Sequence, residues 1–251
     1  MSVTGQDGTA RSDSGGNDDS CRLEAEAVTK AGDPRKAALF IIAAVAAISA
    51  RPVARAESSK RLLACEFPFV SQASAATLSK HFGASNVTSA EIQVGEGDTE
   101  QGTVLFAESP EDRVEILWTE EAKQWRPRMV LLRGNTDVER PRSRWHTRMG
   151  LTLGIGLRTI ERLNRRQFRL LGFSWDYEGT VMSWAGGALE SEQSQSCHVR
   201  ARLRPGARLN PGRTRWLAQV SGDREFSSGH PAMQALNPFI YEIWLEYRSG
   251  N

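Results

Sequence analysis

Two carboxylates and a tyrosine stand together in the aromatic-rich segment "GFSWDYEGTVMSWAGGAL", residues 172–189. Asp176 and Glu178 are two residues apart, so both side chains would share one face of a β-strand. Paired carboxylates carry out glycoside hydrolysis, and in retaining enzymes they stand ~5–5.5 Å apart. With Tyr177 between them, these residues are the candidate ligand-binding site, and no catalytic residue is assigned.

Alternation along the same strand argues against a carbohydrate site at this position. Trp175 and Tyr177 would point away from the two carboxylates, so one face could not offer both stacking rings and acids. An antiparallel hairpin that turns at Glu178-Gly179 fits the pattern better, because it collects the aromatic side chains on one face and polar side chains on the other. We therefore predict that Trp175 and Trp184 lie in the core, with Tyr177 nearest the rim.

Patterns for other kinds of chemistry are incomplete. The four histidines are scattered without metal-ligand spacing, and the acidic turn "GEGDTE", residues 95–100, lacks the ligand order of a calcium loop. Gly154-x-Gly156 lacks the third glycine of a dinucleotide-binding loop, so a tight strand-to-helix turn explains it. The serine of "GFSWD" lacks the second glycine of a nucleophile elbow. We predict no metal and no cofactor.

Residues 35–56 have the features of a secretory signal peptide. Two basic residues precede the apolar run Ala37–Ala50, and Ala54-Arg55-Ala56 ends the segment with small residues. A membrane anchor is the less favoured alternative, because a spanning helix needs about 20 apolar residues. We expect cleavage after Ala56 and a periplasmic or secreted protein with no stable membrane span. Residues 1–34 are either a disordered leader or precede the true translation start.

Two cysteines, Cys65 and Cys197, remain after the expected cleavage. An even pair of cysteines in an exported protein predicts a disulfide. The alternative is lipidation of Cys65 at the end of "LLAC". A lipobox needs the apolar run directly before its cysteine, whereas "RPVARAESSKR" stands between the two here, so we favour the disulfide.

Charge is balanced over the whole chain but uneven along it. The net charge is +2, which gives no basis for a nucleic-acid partner. Residues 91–125 hold ten acidic and two basic residues, residues 126–169 hold twelve arginines and three acids, and residues 198–216 hold six arginines and no acid. The arginines could form an anion-binding face. We favour solvated strand faces whose arginines meet the acidic segment in the fold.

The order of elements predicts an α+β fold, mainly antiparallel sheet with short helices. Helices are predicted from Ser74 to Gly83, over residues 157–164 with one apolar face, and over residues 231–236. Predicted strands cover residues 90–96, 102–107, 113–118, 128–133, 150–154, 167–177, 180–184, 197–203, 214–220 and 238–247. The exported domain, residues 57–251, could contain halves 57–135 and 145–251 that form two degenerate helix-plus-meander repeats.

The segment "LTLGIGLRTIERLNRRQFRLLGFSWDYEGTVMSWAGGAL" resembles a family of exported bacterial proteins of unknown function. That family carries Leu-Gly-x-x-Leu-x-x-Leu-x-x-Leu-Asn, then Gly-Phe-x-Trp-Asp-Tyr-x-Gly and Trp-x-Gly-Gly. "FGASNV", "GTVLFAESP" and "ALNPFIYEI" extend the resemblance over most of the chain that follows the signal peptide. The resemblance implies export and implies no activity.

These observations favour a non-catalytic periplasmic protein that binds another envelope protein or a small ligand through strand faces or loops. The alternative, from a different class, is an envelope hydrolase that acts on carbohydrate or peptidoglycan. The sequence contains no recognisable catalytic triad, metal cluster or nucleotide loop, and this favours the binding protein.

Overall fold

A computed structural model describes residues 60–95, 97–135, 138–194, 197–208 and 210–248 of the 251-residue chain. Residues 1–34, the predicted signal peptide at residues 35–56 and its expected cleavage point after Ala56 lie outside these residues, as does Glu96 of the acidic turn. Everything described belongs to one compact unit that spans residues 54–251.

The described residues form eleven strands and four α-helices, so the predicted α+β class with mainly sheet is confirmed. The strands are β1 Arg61–Leu62, β2 Val87–Gly95, β3 Asp98–Leu105, β4 Val114–Glu120, β5 Trp125–Arg133, β6 Trp145–His146, β7 Arg169–Leu171, β8 Val181–Ser183, β9 Cys197–Arg204, β10 Glu225–Ser227 and β11 Phe239–Tyr247. The helices are α1 Ala75–Phe82, α2 Leu157–Asn164, α3 Pro211–Gln219 and α4 Pro231–Leu236.

A six-stranded antiparallel sheet with the order β2-β3-β4-β5-β11-β9 is the largest element of the fold. Strand β9 shows how the sequence forms this sheet. Every second side chain of β9 is buried, and the side chains between them are partly exposed. The buried set of this strand comprises Cys197, Val199, Ala201 and Leu203. Smaller sheets pair β1 with β6 in parallel and order β10-β7-β8 antiparallel.

Strand β11 joins two parts of the chain that are distant in sequence. It pairs with β5 on one side, where Leu245 lies opposite Val130, and with β9 on the other, where Leu245 lies opposite Val199. The sheet therefore takes four strands from residues 57–135 and two from residues 145–251. The predicted helix-plus-meander repeat is not confirmed.

The face of the sheet opposite the main core carries ordered ion pairs. Arg133 on β5 pairs with Glu115 on β4 at 3.1 Å and with Glu242 on β11 at 3.0 Å. The Arg133 guanidinium also donates to the carbonyl of Gln93 on β2, which shows how strongly the sheet curls. Beside these charges lies a second apolar cluster of buried side chains, namely Ile92, Val104, Leu117 and Leu131.

Helix α1 begins and ends as predicted. The Ser74 hydroxyl caps it by accepting a hydrogen bond from the Thr77 amide at 3.2 Å, and the Thr77 hydroxyl accepts one from the Ser74 amide at 2.9 Å. Gly83 follows the helix with φ of 89°, a conformation that glycine adopts without steric cost. Helix α2 buries Leu157 and Ile160, whereas Leu163 is only partly buried.

Two predicted strands are wrong. Residues 150–154 form a turn in which the Thr147 amide donates to the Leu151 carbonyl and Gly150 has φ of 90°. Residues 214–220 belong largely to helix α3, because Asn210 caps the preceding turn and Pro211 occupies the first helical position. The apolar and β-branched residues that suggested a strand are part of this short helix.

The predicted hairpin at Glu178-Gly179 is also wrong. Strand β7 ends at Leu171 and pairs with β8 through Leu170 opposite Val181, so residues 172–180 form the connection. Gly179 lies directly against the backbone of Leu203 on β9, where a Cβ would clash, and its carbonyl accepts from the Leu203 amide at 3.0 Å. Docking on β9 bends the segment out of strand geometry.

The aromatic side chains of this segment therefore differ in how far they are buried. Trp184 is 3% exposed, as predicted, and its ring centroid lies 5.4 Å from that of Phe168. Trp175 is only partly buried, so its placement in the core is wrong, and Tyr177 is 60% exposed. The Trp175 indole donates to the Gly172 carbonyl at 3.0 Å within the connection itself.

The predicted disulfide between Cys65 and Cys197 is confirmed, and it joins residues 132 positions apart. A second link lies nearby, where the Tyr247 hydroxyl donates to the Phe69 carbonyl. Burial raises the pKa of Tyr247, so the phenol keeps its proton and remains a donor. The two links tie the segment after β1 to the edge strand β9 and to its neighbour β11.

Among the described residues, no helix has the length and apolar character needed to cross a membrane.

Removal of the disulfide tests its contribution to stability. We expect the Cys65→Ala/Cys197→Ala variant to lose about 2–5 kcal/mol in the free energy of unfolding, because its denatured chain is no longer constrained. Guanidinium unfolding followed by fluorescence measures the loss. Wild-type protein kept reduced should lose a similar amount, and an unchanged midpoint on reduction would contradict the prediction.

The division of the tryptophans is tested by matched alanine variants. Trp184→Ala should lower the free energy of unfolding by about 3–5 kcal/mol because it leaves a cavity in the core. Trp175→Ala should cost clearly less, because that side chain is partly exposed and contacts its own connection. Urea unfolding of both variants measures the difference, and equal losses would show that the assigned burial is wrong.

Candidate functional site

The predicted ligand-binding trio lies in the connection between β7 and β8. Asp176 and Tyr177 are exposed, and Glu178 is partly exposed. The Glu178 carboxylate accepts a hydrogen bond from the Ser174 amide at 2.7 Å, so it stabilises the turn. Because these residues are not on a strand, the spacing that would have put both carboxylates on one face does not apply.

Close to this connection, a polar cluster crosses from β8 to β11. Arg202 donates to the Thr180 hydroxyl at 3.2 Å and lies 3.5 Å from the Glu242 carboxylate. Burial raises the pKa of Tyr241, and the carboxylates of Glu242 and Glu178 add to that effect against the opposing charge of Arg202. The polar groups of these side chains pair with one another, so we assign the cluster a structural role.

A different group of residues converges on an open cavity of about 570 Å³, which we call the first basic cavity. Four arginines line it, and Glu139 is the one acid among the described lining residues. The remaining wall is backbone, apolar or amide in character. The lining set is Glu139, Arg140, Arg158, Gly206, Arg208, Arg213, Ala235, Leu236, Asn237 and Phe239.

Four separate elements supply the arginines. Arg140 belongs to the loop that follows β5, and Arg158 is in the first turn of α2. Arg208 belongs to the loop that follows β9, and Arg213 lies in the first turn of α3. The cavity therefore forms only when the sheet edge and both helices are in place.

The end of helix α4 orients two of these guanidinium groups. Arg158 donates to the Gln234 carbonyl at 2.8 Å, and Arg213 donates to the Leu236 carbonyl at 3.2 Å. Carbonyls at a helix C-terminus lack partners within the helix and accept readily from arginine. The Arg213 Nε is buried and has no hydrogen-bond partner among the described residues.

Phe239 holds another guanidinium group in place. The Arg140 Cζ lies 5.3 Å from the centroid of the Phe239 ring, and the Arg204 Cζ lies 5.7 Å from it. Both contacts are within the range of cation–π attraction. Because the ring itself is buried, its role is to position cations.

The charges on the cavity wall are poorly compensated. Arg208 lies 3.4 Å from Glu139, and no other ion pair is present among the described lining residues. Among the lining residues that the structure describes, four arginines against one glutamate leave a surplus of three positive charges. Guanidinium groups match the geometry of carboxylate and phosphate oxygens, so the wall is suited to bind an anion.

Asn237 joins the two helices at this cavity. Gly156, which precedes α2, has no side chain to cap it, and the Asn237 side chain accepts from the Arg158 amide at 3.1 Å instead. A Cβ on Gly156 would crowd the Asn237 side chain at 2.9 Å. The predicted tight turn at Gly154-x-Gly156 is thus present, although no strand precedes it.

The arginine-rich runs behave in two ways. On the sheet they meet the acidic segment, as predicted, for example where Arg128 pairs with Glu100 and Arg133 with Glu115. At the first basic cavity they meet one another. The runs indicated an anion-binding face only as an alternative, and these four arginines could not be identified from the sequence, because nothing local distinguishes them from their neighbours.

No group of three or more histidine, cysteine or acidic side chains suited to a metal occurs in the part of the chain that the structure describes. The chemistry available at the first basic cavity is hydrogen bonding and charge attraction from guanidinium groups that stay protonated.

Comparison with known proteins gives no further guide: no protein-family model, no curated protein and no solved structure matches this chain. The resemblance to the exported family stays a prediction.

The shared cap can be tested by substitution of Asn237, which has φ of 44°. Asn237→Ala should lower the free energy of unfolding by about 1–2 kcal/mol, because the cap is lost and alanine is strained in this conformation. Asn237→Gly loses the cap without that strain and should cost less. Urea unfolding ranks the two, and a glycine variant at least as unstable as the alanine variant would contradict this.

Proposed function

We propose that this protein is a non-catalytic binding protein of the periplasm or extracellular space. It holds an anionic small ligand, or an anionic group of an envelope protein, in the first basic cavity. The observation that carries the proposal is the convergence of Arg140, Arg158, Arg208 and Arg213 on one open cavity that has a single acidic residue in its described wall.

Electrostatics supports an anion at this place. Four guanidinium groups held together repel one another, and this costs stability that a structural role would not require. A bound anion removes the repulsion and accepts hydrogen bonds that are each worth about 1.5–3 kcal/mol when a charged group takes part. Arg158 and Arg208 are exposed to solvent, so they leave donors available to a ligand.

The fixed orientation of several arginine side chains in the cavity wall supports binding without large rearrangement. Arg158 and Arg213 are held by the carbonyls of α4, and Arg140 is held over Phe239. Side chains that are already oriented lose less conformational entropy when a ligand binds. This arrangement supplies affinity and orientation for an anion.

The disulfide and the expected signal peptide support the proposed compartment. The Cys65–Cys197 bond fits a protein of an oxidising compartment, since such bonds are rare in the reducing cytosol. Residues 35–56 are expected to direct export. Together they support a binding role in the envelope or outside the cell.

Tripolyphosphate is a suitable probe for the cavity, and isothermal titration at low ionic strength measures its affinity. The Arg158→Gln/Arg213→Gln variant should bind it roughly ten-fold or more weakly, because charge-assisted hydrogen bonds are lost. Raising the salt concentration should weaken binding to the wild type, since screening reduces the attraction.

The matched control is Arg162→Gln/Arg215→Gln. It makes the same change of charge on the same two helices, but neither residue lines the cavity. This control should keep the wild-type affinity. Equal losses in both double variants would mean that only the general surface charge matters, and the absence of binding to the wild type would refute the proposal.

A further inference from the structure

A second basic cavity, of about 730 Å³, lies beside the first. Its described wall carries four cationic side chains, Lys60, Arg142, Arg144 and Arg148, against the single acid Glu111. The rest of the wall includes a serine, a threonine, a histidine and the rim of the Trp145 ring.

Two of these four cations are already neutralised. Arg144 pairs with Asp112, a buried carboxylate that also accepts from Arg61 at 3.0 Å. Arg148 pairs with Glu66 at 2.6 Å. Lys60 and Arg142 are exposed and make no ion pair with any described residue, so they are the cations free to meet a ligand.

The two cavities share one wall. Arg140 lines the first cavity and Arg142 lines the second, with only Pro141 between them. The Cα atoms of the two arginines can be at most about 7 Å apart, because each residue spans no more than ~3.6 Å. The segment 140–142 therefore contributes side chains to both cavities.

This shared wall is held rigidly. Pro141 is buried between Gly134 and Gly154, and a Cβ on either glycine would clash with it. Gly154 has φ of 80°, and its amide donates to the Ile240 carbonyl of β11 at 2.8 Å. Farther along the wall, the Ser143 hydroxyl donates to the Glu111 carbonyl at 2.9 Å. These contacts hold the segment between the cavities against strand β11.

We propose that the two cavities together bind one linear polyanion, a chain whose anionic groups occupy both cavities and pass over the Arg140–Arg142 wall. This inference rests on the proposed function, since it takes the first basic cavity as one half of the site. It adds the second half and the class of ligand, a polymer with repeated phosphate or carboxylate groups.

The proposal predicts an avidity effect that can be measured, namely a higher affinity for a long polyanion than for a short one. When one anionic group of a chain is bound, a neighbouring group is presented to the second cavity at high effective concentration. A long chain should therefore bind more tightly than a short one by a factor of roughly 10² or more. A surplus of positive charge without two linked cavities would give a smaller gain that disappears in salt.

The experiment titrates wild-type protein with tripolyphosphate and with long-chain polyphosphate at fixed ionic strength. The Lys60→Gln/Arg142→Gln variant removes the free cations of the second cavity, and both side chains are exposed, so folding should be unaffected. This variant should keep its affinity for tripolyphosphate and lose roughly ten-fold or more for the long chain. The Arg162→Gln/Arg215→Gln variant serves again as the charge-matched control.

Failure of this inference and failure of the proposed function give different results. Unchanged affinity of the Lys60→Gln/Arg142→Gln variant for the long chain, with tripolyphosphate still bound at the first cavity, overturns the two-cavity site alone. If the wild type does not bind tripolyphosphate, the proposed function is overturned as well. Poly-L-glutamate is titrated in parallel. If the affinity for either polymer depends on both cavities, the inference is supported, and the polymer that shows this identifies the anionic group.

Discussion

The pairing of β5 with β11 is the constraint on which the rest of the structure depends. Within the described chain, it is the only place where the meander β2–β5 joins the pair β11–β9 in one sheet. Arg133 and Glu242 lie opposite each other in this register, 109 residues apart in sequence, and their ion pair accompanies the backbone ladder. Without that register the two parts of the sheet would share no core.

The same pairing sets the position of the first basic cavity. Strand β11 begins at Phe239, whose ring orients Arg140, and it follows directly after Asn237, which caps α2. Strand β9 ends at Arg204, just before the loop that carries Arg208. The cavity is built where these two neighbouring strands meet the helices, so the sheet fixes the separation of its charges.

Local signals predicted the elements that depend on local interactions. Ser74 and Gly83 marked the ends of α1, and the alternation from Cys197 to Leu203 marked β9. Prediction failed where a distant contact decides the conformation. The connection around Gly179 follows the backbone of Leu203, and the cap of α2 comes from Asn237, which is 79 residues from Arg158. The arginines of the first basic cavity could not be predicted for the same reason. Only the fold distinguishes them from the arginines of the sheet, which pair with acidic residues.

The central position of β11 has a consequence for the order of folding during synthesis. It is the last described strand along the chain, yet β5 and β9 both need it as a neighbour. Until Phe239–Tyr247 has emerged, two strands rich in apolar residues present unpaired backbone edges that can join other chains. The six-stranded sheet therefore cannot close before β11 has been synthesised, and until then these edges are open to aggregation.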